Sequence, residues 1–201
     1  MITLYNFPRG ARGLRVAWLC EEMGLAYDVH KLGFPTDAAY RQLNPLGSVP
    51  FLVDGDVQIN ESTAMLLYLA ERYGPTPFLP ERTSPRFARV VQMTVFSEAT
   101  LGAGLNVLME ARFGAPEADK DNWSVRAQGN RTDHALAFIE HILGAQEFLT
   151  GDGPTIADIA IATALGMRQG ALGQAPSARL AAYRERTVAR PAYARAVARI
   201  A

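Results

Sequence analysis

Four prolines between positions 75 and 85 (Pro75, Pro77, Pro80 and Pro85) divide this chain of 201 residues into two parts of different texture. Neither a helix nor a central strand runs through such a stretch, because proline lacks the backbone donor and fixes φ. The strand signals all precede it, so no single sheet can organise the whole chain. The spacing predicts one domain over 1–77, a linker over 78–86 and an all-helical domain over 87–201.

The first part alternates element types. Ile2 to Phe7 reads as a strand bounded by Pro8 and Gly10. From about Arg12 to Met23, the residues Val16, Leu19, Cys20 and Met23 recur at helical spacing, and Gly24 supplies the stop. Tyr27 and Val29 mark a second strand, and Thr36-Asp37 opens a short helix that ends before Asn44-Pro45. Asp54-Gly55 is a hairpin turn between Val49–Val53 and Val57–Ile59, and Ser62 caps a helix through Tyr73. In the resulting order, β-α-β-α-β-β-α, the crossover helix makes the first two strands parallel and the hairpin makes the last two antiparallel.

Beyond the prolines, Arg86 to about Phe113 reads as one long helix, with Val90, Val91, Thr94, Val95, Leu101, Leu105 and Leu108 as core candidates. Trp123 to Leu143 is a second, with Leu136, Ile139 and Leu143 on one face. Thr155 to Leu165 is a third, and two Ala/Arg-rich helices follow, separated by Pro191. Composition narrows the partners. Twenty basic against twenty acidic residues argue against nucleic acid. No apolar run approaches the roughly 20 residues that span a bilayer. The single cysteine excludes an internal disulfide framework and a Cys-rich metal site. The start enters a strand directly, without a signal-peptide pattern, so the reading is a cytoplasmic protein without a metal cofactor. Among the histidines, His30, His134 and His141 are too scattered to form a metal site.

Three segments carry chemistry or its scaffold. In Asn44-Pro45-Leu46-Gly47-Ser48-Val49-Pro50, a cis Val49–Pro50 bond would leave the Val49 backbone facing outward to pair with an extended peptide. A trans bond would make Pro50 a plain strand start. In Glu61-Ser62, a hydroxyl and free N–H groups at a helix N-terminus can hold a carboxylate, and the neighbouring acid can hold an ammonium. The plainer alternative is an N-cap and a first-turn acid. Thr155 and Asp158 have capping-box spacing and serve the fold alone.

Taken in order, Leu4-Tyr5-Asn6-Phe7-Pro8, Leu19-Cys20-Glu21-Glu22-Met23-Gly24, Asn44-Pro45-x-Gly47-x-Val49-Pro50, Glu61-Ser62 and Thr155-x-x-Asp158 resemble the soluble glutathione transferases, with a bacterial-type layout, over essentially the whole chain. The resemblance implies a thioredoxin-like domain followed by an α-helical bundle, usually as a homodimer. It implies glutathione as co-substrate, a cis Pro50, and the cysteinyl unit paired to the Val49 backbone beside Ser48. Glu61 and Ser62 then receive the γ-glutamyl end, and Arg41 or Gln42 meets the glycine carboxylate. Met109, Arg112 and Phe113 are the candidates for an apolar wall against a small hydrophobic electrophile.

The resemblance departs at the catalytic position. A thiol with a pKa near 8.5 needs a donor or a positive field to become a thiolate at neutral pH. Family members place Ser or Cys near the start of the first helix, or Tyr at the end of the first strand. Here Asn6 to Arg15 contains no Ser, Cys or Tyr, and counting back from Glu21-Glu22 leaves Gly13 or Arg12 in that position. Tyr5 alternates to the other face of its strand. Asn6 and Arg12 are therefore the catalytic candidates, with Arg9, Arg12 and Arg15 as a solvated basic rim on the plainer reading. Cys20, mid-helix, reads as core. The two functions left open are a glutathione transferase and a non-catalytic glutathione-transferase-like binding or scaffold protein.

Overall fold

The computed structural model describes residues 1–151 and 153–201. The chain forms two compact units, Met1–Leu79 together with Val188–Ala201, and Pro80–Thr187.

In the first unit, β1 (Ile2–Asn6), β2 (Tyr27–Lys31), β3 (Phe51–Asp54) and β4 (Val57–Ile59) form one sheet in the order β2-β1-β3-β4. β1 pairs parallel with β2, and β3 pairs antiparallel with both β1 and β4. Strand alternation divides the β1 side chains. Ile2, Leu4 and Asn6 are buried on the face carrying α1 (Ala11–Met23) and α3 (Ser62–Arg72). Tyr5 lies on the other face, its ring 5.0 Å from His30 and 5.7 Å from Tyr40 of α2 (Ala38–Leu43). Leu32, Tyr40 and Phe51 centre that second apolar layer. Asp37 caps α2 by accepting from the Tyr40 N–H at 2.8 Å. The Val49–Pro50 bond is cis, as are Phe34–Pro35 and Gly74–Pro75.

The expected 87–201 helical domain does not form one contiguous unit, because its last helix packs with the first. The helix α9 (Pro191–Ile200) buries Ala192, Ala196 and Ile200, and Tyr193 sets its ring 4.8 Å from Trp18 of α1. Small residues at i and i+4 let the two helices approach, while Arg195 and Arg199 between them face Glu21 of α1.

The second unit holds α4 (Pro85–Phe96), α5 (Ala103–Phe113), α6 (Trp123–Leu143), α7 (Ile156–Leu172) and α8 (Ala178–Val188). The single long helix expected from Arg86 to Phe113 is interrupted. Residues Ser97–Gly102 form a π-helical segment between α4 and α5. One extra residue in a turn shifts the buried stripe. Val90, Met93, Thr94, Leu101 and Leu105 are therefore buried, while Val95 stays 44% exposed. The third helix also runs seven residues past the expected end, to a left-handed Gly173. Leu136, Ile139 and Leu143 of α6 are buried as their spacing predicts. No helix among the described residues is long and apolar enough to cross a membrane.

Candidate functional site

Two loops of the first unit converge through an amide network. The Asn44 Nδ2 donates to the Ser48 carbonyl at 2.9 Å and to Asn60 Oδ1 at 3.1 Å, and Asn60 Nδ2 returns a bond to Asn44 Oδ1 at 3.2 Å. Tyr40 donates its hydroxyl to the same Ser48 carbonyl at 2.6 Å. Ser48 donates from Oγ to Asn60 Oδ1 at 3.4 Å. The segments ending in Val49-Pro50 and Glu61-Ser62 are thereby fixed beside each other. Asn44 is 1% exposed and its side-chain amide is satisfied within this network, so the geometry of both loops depends on it. The sequence reading missed Tyr40, Asn44 and Asn60 as supports. A proline after Asn44 marks a helix end, and nothing local reveals a partner sixteen residues away.

The structure places each expected binding residue as follows. Ser48 is exposed, Val49 is half-buried just before the β3 ladder begins, and Pro50 is buried. Arg41 and Gln42 are exposed on α2, and Arg41 donates from Nε to Thr36 Oγ1 at 3.4 Å. Glu61 is the N-cap of α3 at φ 67° and ψ 106°, a left-handed conformation that costs a non-glycine residue free energy. Its side chain is exposed and makes no cap hydrogen bond. Ser62, expected as the cap, is instead the first helical residue and only 2% exposed. Its Oγ accepts from Arg15 Nη1 at 3.0 Å, which leaves its own proton to donate.

Arg15 corrects the picture of a solvated basic rim. It is 0% exposed on the inner face of α1, so a full positive charge lies under the start of α3. Its helical phase with Trp18, Leu19 and Glu22 was the available signal, hidden by its resemblance to the nearby Arg9 and Arg12.

Asn6 is likewise enclosed. It is 1% exposed, with Nδ2 bonded to the Gly10 carbonyl at 3.2 Å and Oδ1 buried without a partner. A Cβ on Gly13 would stand 2.2 Å from the Asn6 Cγ, and one on Gly10 would stand 2.7 Å from its Oδ1. The Asn6 side chain therefore fills the space that a side chain at position 13 would need. Asn6 does not open to solvent. Arg12 is half-buried in the first turn of α1. That turn has no side-chain cap hydrogen bond and no acidic residue of its own, and its N–H groups and positive dipole end favour an anion.

In the second unit, Met109, Arg112 and Phe113 lie on the last turns of α5. Phe113 is 68% exposed, with the Arg112 guanidinium 5.6 Å from its ring centroid. Arg112 also donates to the Leu172 carbonyl. Cys20 is fully buried, and burial, with Glu21 and Asp54 adding repulsion, pushes its thiol up to about 12. We expect the folded protein at pH 8 to resist iodoacetamide at Cys20, with alkylation appearing only as urea unfolds the first unit. Rapid labelling of the native chain, read by intact mass, would place Cys20 outside the core. Among the described residues no group of three or more His, Cys, Asp or Glu is arranged to hold a metal ion.

Comparison with known proteins agrees with this architecture. The glutathione S-transferase N-terminal domain model matches residues 4–77, and the C-terminal domain model matches residues 123–186. Glutathione S-transferase Z1 of Arabidopsis thaliana is 37% identical over 98 residues, covering 47% of this chain and 44% of that relative. The chain thus spans less than half the length of this plant relative in the match. Glutathione S-transferase 3 of Zea mays is 29% identical over 215 residues, covering 99% and 94% of the two chains. The theta class glutathione S-transferase of Xanthomonas axonopodis pv. citri, solved with glutathione bound, is 28% identical at a TM-score of 0.82, covering 98% of this chain and 96% of that one. With both domain models matched in order and the sheet topology in place, this chain belongs to the glutathione S-transferase family.

Proposed function

We propose that the first unit binds glutathione and stabilises its thiolate for addition to a small electrophile, or for a related isomerisation or reduction. The observation that carries this reading is Glu61, held in a left-handed conformation with its carboxylate exposed beside a Ser62 hydroxyl seated on Arg15. Backbone outliers of this kind concentrate at ligand clamps. In this reading Glu61 accepts the γ-glutamyl ammonium, and Ser62 donates to the adjacent carboxylate with the N-terminus of α3 behind it. Val49 pairs its backbone with the cysteinyl unit, flanked by Ser48 and Pro50. Arg41 or Gln42 meets the glycine carboxylate. The sulfur lies at the uncapped first turn of α1, where the helix N–H groups and Arg12 favour the anion. Asn6 acts from beneath, by fixing Gly10. Met109, Arg112 and Phe113 are the proposed electrophile contacts, and a homodimer in the cytoplasm is the proposed assembly and location.

Calorimetric titration with glutathione tests this. Glu61→Ala and Ser62→Ala are each expected to weaken binding by about 1–3 kcal/mol, because each strands a charged partner. Unchanged affinity in both variants would remove the assignment. A second reading, a glutathione-binding protein without turnover, is favoured by the Asn6–Gly13 contact, which leaves no room for a hydroxyl-bearing side chain at position 13. Retention on a glutathione column with no conversion of an aromatic halide would select it.

A further inference from the structure

The loop between β1 and α1 contains one backbone outlier, the exposed Arg9 at φ 61°. Phe7 to Gly10 closes a turn through the Gly10 N–H and the Phe7 carbonyl at 2.9 Å. The Arg9 N–H does not bond within this loop. It donates to the carbonyl of Ile200 at 2.9 Å, the last residue of α9. Carbonyls of a final helical turn have no partner inside their own helix, so this bond satisfies one of them.

The other end of α9 is anchored near the far end of α1. Arg190, its N-cap, donates from Nε and Nη2 to the two oxygens of Glu22 at 2.5 and 2.8 Å. That carboxylate is 6% exposed and also accepts from Trp18 Nε1 at 3.1 Å. The Arg190 guanidinium lies 5.8 Å from the Phe78 ring centroid. Between the ends, Arg195 donates from Nε to Glu21 Oε2 at 2.8 Å, and Arg199 lies 5.1 Å from the Tyr27 ring centroid. Helix α9 therefore runs antiparallel along α1, tying residue 22 to residue 9. Its ten residues, at about 1.5 Å each, match most of the length of α1.

We propose that α9 is a strut that positions the β1–α1 loop, with Ile200 holding Arg9 and the Arg190–Glu22 pair as its anchor. The conformation of Arg9 decides where Gly10 and the uncapped first turn of α1 stand relative to β1. Arg190 and Glu22 are thus positioning residues that act on the site through α9. The consequence for a bound thiol rests on the function proposed above; the loop geometry does not.

The test is Arg190→Met and, as the milder change, Glu22→Gln, each compared with Arg190→Lys. Amide exchange in the ligand-free protein is expected to rise at Arg9 and Gly10 by about tenfold or more, while Leu19 in the middle of α1 stays protected. The bound glutathione thiol, titrated by its thiolate absorbance, is expected to shift upward by about half a unit or more in Arg190→Met, with glutathione affinity kept within about threefold. Arg190→Lys recovers part of both effects, because it keeps the charge and loses the fork. Wild-type exchange at Arg9 in both Arg190→Met and Glu22→Gln would overturn the strut, as would exchange that rises equally at Leu19. A faster Arg9 amide with an unmoved thiol titration would overturn its role in the site. If the wild-type protein binds no glutathione, the proposed function fails and the exchange comparison alone still decides the strut.

Discussion

Gly13→Ser by itself is expected to destabilise the first unit by about 2–3 kcal/mol, and the same change in an Asn6→Ala background is expected to recover most of that loss. Serine is the better helix residue, so removing a glycine from α1 should gain about 0.5–1 kcal/mol if nothing else changed. The clash decides the sign. A Cβ at position 13 meets Asn6 Cγ at 2.2 Å, Nδ2 at 2.3 Å and Oδ1 at 2.4 Å, far inside contact distance. Asn6 would have to leave a site where it is 1% exposed, losing its bond to the Gly10 carbonyl and disturbing the N-cap of α1. With alanine at position 6 the obstruction is gone, and so is an Oδ1 that is buried without a partner. Urea unfolding of the two single variants and the double variant gives the coupling directly. Additive effects would show that Asn6 and Gly13 do not share this space. The double variant also places a hydroxyl at the start of α1, so a lower thiol titration there would separate a site lacking only its donor from one that has lost more.

Asp158→Ala is expected to cost the second unit about 3–5 kcal/mol, the largest single loss anticipated outside the site. The carboxylate is 0% exposed and accepts four hydrogen bonds. Two come from the Leu149 N–H at 2.9 Å and the Thr155 N–H at 2.8 Å. The other two come from the Thr155 and Tyr183 hydroxyls, both at 2.9 Å. Burial raises the Asp158 carboxyl from its ordinary value, and these four donors oppose the shift. Alanine would strand all four, including two backbone donors that cannot rotate away. Asp158→Asn keeps one acceptor oxygen and should fall between alanine and wild type. Tyr183→Phe removes one donor together with its hydroxyl and should cost about 1 kcal/mol. A urea midpoint for Asp158→Ala close to wild type would show that the capping box is not what starts α7.

These two sites differ in how far they could be read in advance. The Thr155–Asp158 box spans one helical turn, so spacing alone identifies it, but Tyr183 joins from α8 and carries no such mark. At the candidate site, Val49, Glu61 and Ser62 are legible because a proline, an acid and a hydroxyl sit at recognisable element boundaries. The direction of each group was not. Ser62 was expected to cap α3, and it serves instead as the acceptor for Arg15, forty-seven residues earlier. Asn6 was expected to reach a sulfur, and the alternation that correctly turned Tyr5 away turned Asn6 under α1. The π segment at Ser97–Gly102 has no proline or glycine pair to announce it, and it moved the buried stripe of the long helical run.

The sequence by itself determined the order of strands and helices in the first unit, the parallel β1–β2 and antiparallel β3–β4 pairings, the hairpin at Asp54-Gly55 and the helix starts at Asp37 and Thr155. Each of these rests on periodicity, turn chemistry or capping, which act over a few neighbouring residues. Only the tertiary structure decided that Arg15 is buried, that Asn6 occupies the space above Gly13, and that α9 returns to brace α1. Those outcomes depend on which surfaces meet after long loops close, and side-chain volume and charge at such contacts leave no period in the chain.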